Sequence, residues 1–213
     1  MTKIYLSPSS QWANTYSYAG YNEALVCGLI AEAAYKALTR CGFDVKLGSN
    51  NGTMQSRTAE SNAWKADYHV PIHTNAGGGE GTVFFCYSGS KDDKCLNSVY
   101  NAIAALSPGK DQGIKVNDGL YEVNSATATT IYIETEFHDN ENLAKWVVEN
   151  VENIGEAIAK GFCNGVGVKY TGKPDITGKL YRVQVGAFSK RENAEKMRDS
   201  LKAKGYDCFV VGG

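Results

Sequence analysis

ADYHVPIHTNA, residues 66–76, decides how this chain folds. It reads as a buried strand of β-branched and aromatic residues that ends in His73, Thr74 and Asn75, with the glycine run 77–79 behind them. An apolar strand that finishes on an imidazole just where the chain leaves the sheet has two explanations. One is a structural histidine with its hydrogen bonds satisfied. The other is a reacting group held at a strand end, where a rigid sheet opens onto a cleft.

Reading outward, strand and helix signals alternate over the first 167 residues, which predicts an α/β domain built on a largely parallel sheet flanked by helices. KIYLS opens as a strand. Residues 22–41 carry Leu25, Leu29, Ile30, Ala33 and Leu38 near helical spacing, and Gly42 supplies a stop. FDVKLG, YHVPI, GTVFFCYS and TTIYIETEF read as further strands, and TMQSRTAESNAWKA and DDKCLNSVYNAIAAL as helices. NLAKWVVENVENIGEAIAKGFCNGVG closes the domain as one long amphipathic helix. Residues 167–178 have the glycines, proline and polar residues of a linker. KLYRVQVGAF, SKRENAEKMRDSLKAKG and YDCFVV then read as a small βαβ tail, its helix capped by Ser189. The expected domains are 1–166 and 179–213.

Charge separates the same two parts. Residues 168–213 hold ten of the 22 basic and five of the 23 acidic residues, a net of +5, which leaves −6 for residues 1–167. An acidic main domain disfavours nucleic acid as a partner. No apolar run is long enough to span a membrane. The six cysteines show no paired spacing and read as free, mostly buried thiols of a reducing compartment. MTKIYLSPSS lacks the basic-then-apolar pattern of a secretory signal, so synthesis in the cytoplasm is expected.

Three acid–base or metal-competent residues sit where an element begins or ends. Glu23 starts the first long helix, His73 ends the third strand and Glu134 ends TTIYIE. The ends of an α/β sheet can converge on one cleft, where a histidine and carboxylates suit zinc, an activated water and a general base. Each has a plainer reading as well: a helix-dipole glutamate, a structural histidine, a solvated strand-end charge.

RTAESNAWKADYHVPIHTNA resembles the segment of zinc-dependent N-acetylmuramoyl-L-alanine amidases that ends in SIHANA. GYNEALVCGLIAEAAYKALTRCGFDV is similar to that family's helix opening on a zinc-binding glutamate, and IYIETEFHDN to its LVETGFISN element. The resemblance runs from about residue 3 to residue 165. It implies that Glu23 and His73 bind zinc and that Glu134 is the catalytic carboxylate. The implied substrate bond is the amide between the lactyl group of N-acetylmuramic acid and L-alanine in peptidoglycan. The family's first motif, D-P-G-H-G, is not matched. LSPSSQ, residues 6–11, stands there without its histidine, so Gln11, or Ser10, is left to take the ligand's place. His69 lies on the same strand face as His73 but roughly 13 Å away at strand rise. His138, four residues past Glu134, is either a ligand folded back over the cleft or a hydrogen-bonding histidine. Glu136 stands where the family has glycine and puts a second carboxylate near the site. Asn75 is a candidate substrate-binding residue or the maker of the turn.

YRVQVGAFSKRENAEKMRDSLKAKGYDCFVV resembles one repeat of the sporulation-related (SPOR) peptidoglycan-binding domain, whose members have two. One repeat is either half of a domain cut short or a half-domain whose open strand edge suits pairing between two chains. The expectation is therefore a cell-wall amidase of endolysin or autolysin type that acts on the wall after release. Its rival is a wall-binding protein that has lost its zinc along with the first histidine.

Overall fold

The computed structural model describes residues 1–173, 184–206 and 208–210. The chain divides into two compact units, Met1–Lys173 and Pro174–Gly213.

The first unit runs β1 (Lys3–Pro8), α1 (Glu23–Arg40), β2 (Asp44–Leu47), α2 (Met54–Trp64), β3 (Tyr68–Asn75), β4 (Val83–Cys86), α3 (Lys94–Ala104), β5 (Gly113–Val116), α4 (Tyr121–Ser125), β6 (Thr129–Thr130), β7 (Tyr132–Phe137), α5 (Glu141–Glu149) and α6 (Val151–Val166). Its sheet has the order β2-β1-β3-β7-β4-β5, with β6 also paired to β3. All pairings are parallel except that of β4 with β7. The expected α/β architecture with a mostly parallel sheet is the one observed.

Strand periodicity sorts the side chains onto two faces. Ile4, Leu6, Val70, Ile72, Ile131 and Ile133 are buried in the core with α1, α3 and α6. Helix α6 lies close against both neighbours because it presents glycine to each. A Cβ on Gly155 would come within 2.5 Å of the Ala33 Cβ, and one on Gly161 within 2.4 Å of the Val99 Cα. The alternate positions, Tyr5, Ser7, His69 and His73, form the other face, which α2 and α4 cover. That second face is unusually polar for a buried layer, and it carries the site.

The closing helix is two helices rather than one. Asn150 leaves helical geometry (φ −113°, ψ 14°), caps α5 and donates its side-chain N–H to the Trp146 carbonyl. An asparagine can offer the backbone this alternative to the helical ladder, so the apolar period continues across a break. Strand β5 and helix α4 are additional to the elements read from sequence. At four and five residues they are too short to display a period.

In the second unit α7 (Arg191–Lys202) forms, with Lys190 rather than Ser189 at its N-cap and no side-chain capping bond. Residues 184–188 and 208–210 of the two expected strands have no strand pairing; the remainder lies outside the described residues. A single helix buries little apolar area by itself, and Val185, Phe188, Tyr206 and Phe209 are exposed. Among the described residues no helix is long and apolar enough to cross a membrane. All six cysteines are free, and Cys27, Cys86, Cys95 and Cys163 are buried.

Candidate active site

Strand β3 delivers His73 to the polar face near its C-terminal end. The chain can turn away at once because Gly77 and Gly78 take positive φ (116° and 74°), and both amides donate to Asp139 at 2.8 Å. Parallel pairing of β3 with β7 sets Glu134 directly beside His73 on the same face. Glu23 arrives from the first turn of α1, which is fixed by the Asn22 side chain accepting from the Leu25 amide at 2.9 Å. Three separate segments thus meet at one point.

The contacts there are short. His73 Nδ1 lies 2.8 Å from Glu23 Oε1. Gln11 Nε2 lies 3.4 Å from each of the same two atoms. Asn14 Nδ2 donates to Gln11 Oε1 and to Glu23 Oε2, both at 2.8 Å. Tyr132 stacks on the His73 ring, with centroids 4.8 Å apart and planes 8° from parallel. Gln11, Arg57, His73, Tyr121, Glu122 and Tyr132 line a cleft of about 600 Å³.

Burial sets the protonation states. Glu134 keeps one carboxylate oxygen buried without a hydrogen-bond partner. Desolvation pushes its carboxyl up to about 7, helped by the Glu23 charge and opposed by His73. For His73, burial alone would lower the imidazole; the Glu122 carboxylate 3.8 Å from Nε2, the hydrogen bond to Glu23 and the charges of Glu134 and Glu23 outweigh it and hold the ring at about 9. Glu23 is likewise opposed by burial, yet His73 and Asn14 bring it below the ordinary range. The resulting group is an ionised carboxylate, a cationic imidazole and a carboxyl poised near neutrality.

The other residues named from sequence fall as follows. Asn75 Oδ1 accepts from the Ala76 amide at 2.8 Å and its carbonyl from the His138 amide at 2.8 Å, so it closes the strand end. His138 stacks on Tyr16 and bonds to Thr74 Oγ1 at 3.0 Å, the hydrogen-bonding alternative of the two. Glu136 is fully buried and ties down a loop, accepting from the amides of Gly81 (2.8 Å) and Gly109 (2.9 Å). Glu122 was invisible in the sequence reading. It comes from the five-residue α4, is 3% exposed, and accepts from His69 Nε2 at 3.2 Å and from Ser7 Oγ. Its second oxygen faces His73 Nε2 across 3.8 Å. The only advance signal was an unexplained polar residue, His69, in the middle of a buried strand.

The family model for N-acetylmuramoyl-L-alanine amidases matches residues 11–164, most of the chain. The chain belongs to the N-acetylmuramoyl-L-alanine amidase family. A SPOR domain model matches residues 174–212. The amidase CwlM of Bacillus licheniformis is 28% identical over 161 residues, covering 75% of this chain and 62% of that protein. The sporulation-specific amidase of Bacillus subtilis (strain 168) is 26% identical over the same shares. This chain therefore spans less than two thirds of the curated amidases it matches. Among solved structures, Cwp6 from Clostridium difficile superposes with a TM-score of 0.71 at 22% identity, covering 78% of this chain and 29% of Cwp6. The amidase AmiC2 of Nostoc punctiforme gives 0.68 at 19%, covering 78% and 97%.

This amidase family is generally zinc-dependent, yet among the described residues no three His, Cys, Asp or Glu side chains are grouped to hold a metal. The donor set fits a metal with one weak member. Glu23 and His73 Nδ1 are zinc donors of the ordinary kind. Gln11 completes the triangle but turns its amide nitrogen inward, because its oxygen is held by Asn14. Reversing that amide would give up the 2.8 Å bond from Asn14 and the two 3.4 Å contacts of its nitrogen, at about 1 kcal/mol for each hydrogen bond lost. The family match begins at Gln11, just past the LSPSS that lacks the first histidine of the resemblance.

Proposed function

We propose that this chain hydrolyses the amide bond between N-acetylmuramic acid and L-alanine in peptidoglycan, with zinc held by Glu23, His73 and Gln11 and with Glu134 as the acid–base residue. The observation that carries the reading is Glu134: a carboxyl with one buried, partnerless oxygen, lifted to about 7, beside His73. A structural carboxylate would be paired; an acid–base catalyst is best near the working pH.

Zinc, when bound, polarises the scissile carbonyl and acidifies the attacking water. Glu134 accepts the proton of that water and returns it to the leaving amine of L-alanine, using both protonation states in one turnover. Glu23 and His73 hold their donor atoms in place through the Asn14 and Glu122 contacts. The cleft beside His73 has room for the sugar and the first residues of the stem peptide, and Arg57 and Tyr121 offer it polar edges. Asn75 orders the strand end that carries His73. The SPOR match and the net +5 of residues 168–213 support anchorage on an anionic wall.

One observation favours the rival reading, wall binding without cleavage: the inward Gln11 nitrogen and the direct Glu23–His73 bond. Elemental analysis of the protein after dialysis against zinc, with wall lysis assayed on the same sample, separates the two. About one zinc per chain together with lysis is expected. No retained zinc and no lysis in excess zinc would overturn the proposal and leave the binding reading.

A further inference from the structure

The face that carries His73 buries more charge than the reaction uses. Glu122, 3% exposed, and His69, fully buried, touch neither Glu23 nor Glu134, and an ionised carboxylate withdrawn from water costs several kcal/mol unless something is gained by it. Its surroundings have one common effect. Ser7 Oγ, itself held by Arg57 Nε at 2.8 Å, and His69 Nε2 both donate to Glu122 Oε1. With Oε1 fixed, the carboxylate plane is fixed, and Oε2 is turned toward His73 Nε2 at 3.8 Å. That nitrogen is buried and has no hydrogen-bond partner. Nδ1 of the same ring faces Glu23 and Gln11.

From this geometry we infer that Glu122 is the positioning residue of His73: it receives the Nε2–H and thereby leaves Nδ1 as the nitrogen offered to Glu23, Gln11 and a metal. The inference rests on the reading of His73 as a ligand. In the metal-free protein the cationic ring carries a proton on each nitrogen, one facing Glu23 and one facing Glu122; a metal bound at Nδ1 would take the place of the Nδ1 proton, and the proton left on Nε2 is the one Glu122 receives. Closing about 1 Å between Oε2 and Nε2 makes a normal hydrogen bond. Ser7 and His69 act one step further back, holding Glu122, and so account for two polar residues buried on a strand face where apolar ones would pack. Tyr132, stacked on the ring, prevents it from swinging out of this plane.

The test uses the full chain, metal-free, with nitrogen-15 labelling to follow the three histidine rings by NMR. In the wild type the Nε2–H of His73 is expected as a downfield, slowly exchanging signal. Glu122→Met, which keeps volume and removes the acceptor, should speed its exchange at least tenfold, with Glu122→Gln in between. In chelator competition the Met variant should hold zinc 10- to 100-fold more weakly, again with Gln in between. If Glu122→Met fails to fold, Ser7→Ala, which loosens Glu122 without touching His73, decides by the same two readouts, with a drop of threefold or more expected. Exchange and zinc affinity both within twofold of wild type in the folded variant would overturn the inference. A wild type that binds no zinc at all would count against the proposed function, while the metal-free ring spectra would still decide the role of Glu122.

Discussion

Replacing Glu134 by glutamine should abolish cleavage and, at neutral to alkaline pH, make the fold more stable. The carboxyl titrates at about 7 against an ordinary 4.5 because desolvation outweighs the pull of His73. Below 4.5 both the folded and the unfolded chain carry the proton. Between 4.5 and 7 the folded chain keeps a proton that the unfolded chain has released, so stability falls as pH rises; above 7 it levels off. At 1.36 kcal/mol per pH unit the wild type loses up to about 3 kcal/mol across that window. Glutamine has the same shape and no titration, so it escapes the loss. Calorimetry of the metal-free proteins at pH 4 and pH 8 should therefore show the gap between variant and wild type widening by about 2–3 kcal/mol, or roughly 5–10 °C in Tm for a unit of this size. On purified walls with zinc the variant should lose about 10²- to 10⁴-fold in rate, the range of acid–base catalysis. A variant that clears walls within tenfold of wild type, or a gap that does not widen with pH, would refute the assignment of a buried, poised carboxyl.

Three other outcomes follow from the same geometry. Gln11→His should raise zinc affinity by about tenfold or more, since an imidazole replaces an amide as third donor; a chelator competition showing no gain would place the third donor elsewhere. Gly161→Ala should destabilise by about 1–3 kcal/mol through overpacking, because its Cβ meets the Val99 Cα at 2.4 Å and backbone cannot yield as a side chain does; urea unfolding reads this directly. Removing residues 174–213 should weaken sedimentation with insoluble walls by about tenfold or more while leaving cleavage of soluble muropeptides within twofold, and equal loss in both assays would rule out an anchoring role.

The parts of the fold with long periods were legible: α1 by its apolar spacing and stop, and β3 and β7 by their β-branched runs. Glu23 and His73 were legible because each lies at or near the end of such an element, and Glu134 because it directly follows the apolar run 131–133; the structure brings the three together, with Glu134 inside β7 rather than at its end, since the strand runs on to Phe137. What stayed hidden was short or non-local. Strand β5 and helix α4 have too few residues to show a pattern, so Glu122 had no recognisable setting. Its contacts with Ser7 and His69 span 115 and 53 residues of sequence. His69 was correctly set apart from His73 by strand rise, but a carboxylate from elsewhere bridges the gap. The break at Asn150 was masked because the apolar stripes of α5 and α6 run in near-continuous phase on either side of it.

The most direct test of the central claim is which bond breaks. Purified peptidoglycan should be digested with the zinc-loaded protein and assayed for newly exposed L-alanine amino termini and for new reducing sugar ends. L-alanine termini should appear in step with solubilisation, with no increase in reducing ends, and neither solubilisation nor new termini should be seen with Glu134→Gln. Solubilisation accompanied by reducing ends, or no new L-alanine termini from zinc-loaded wild type, would contradict it.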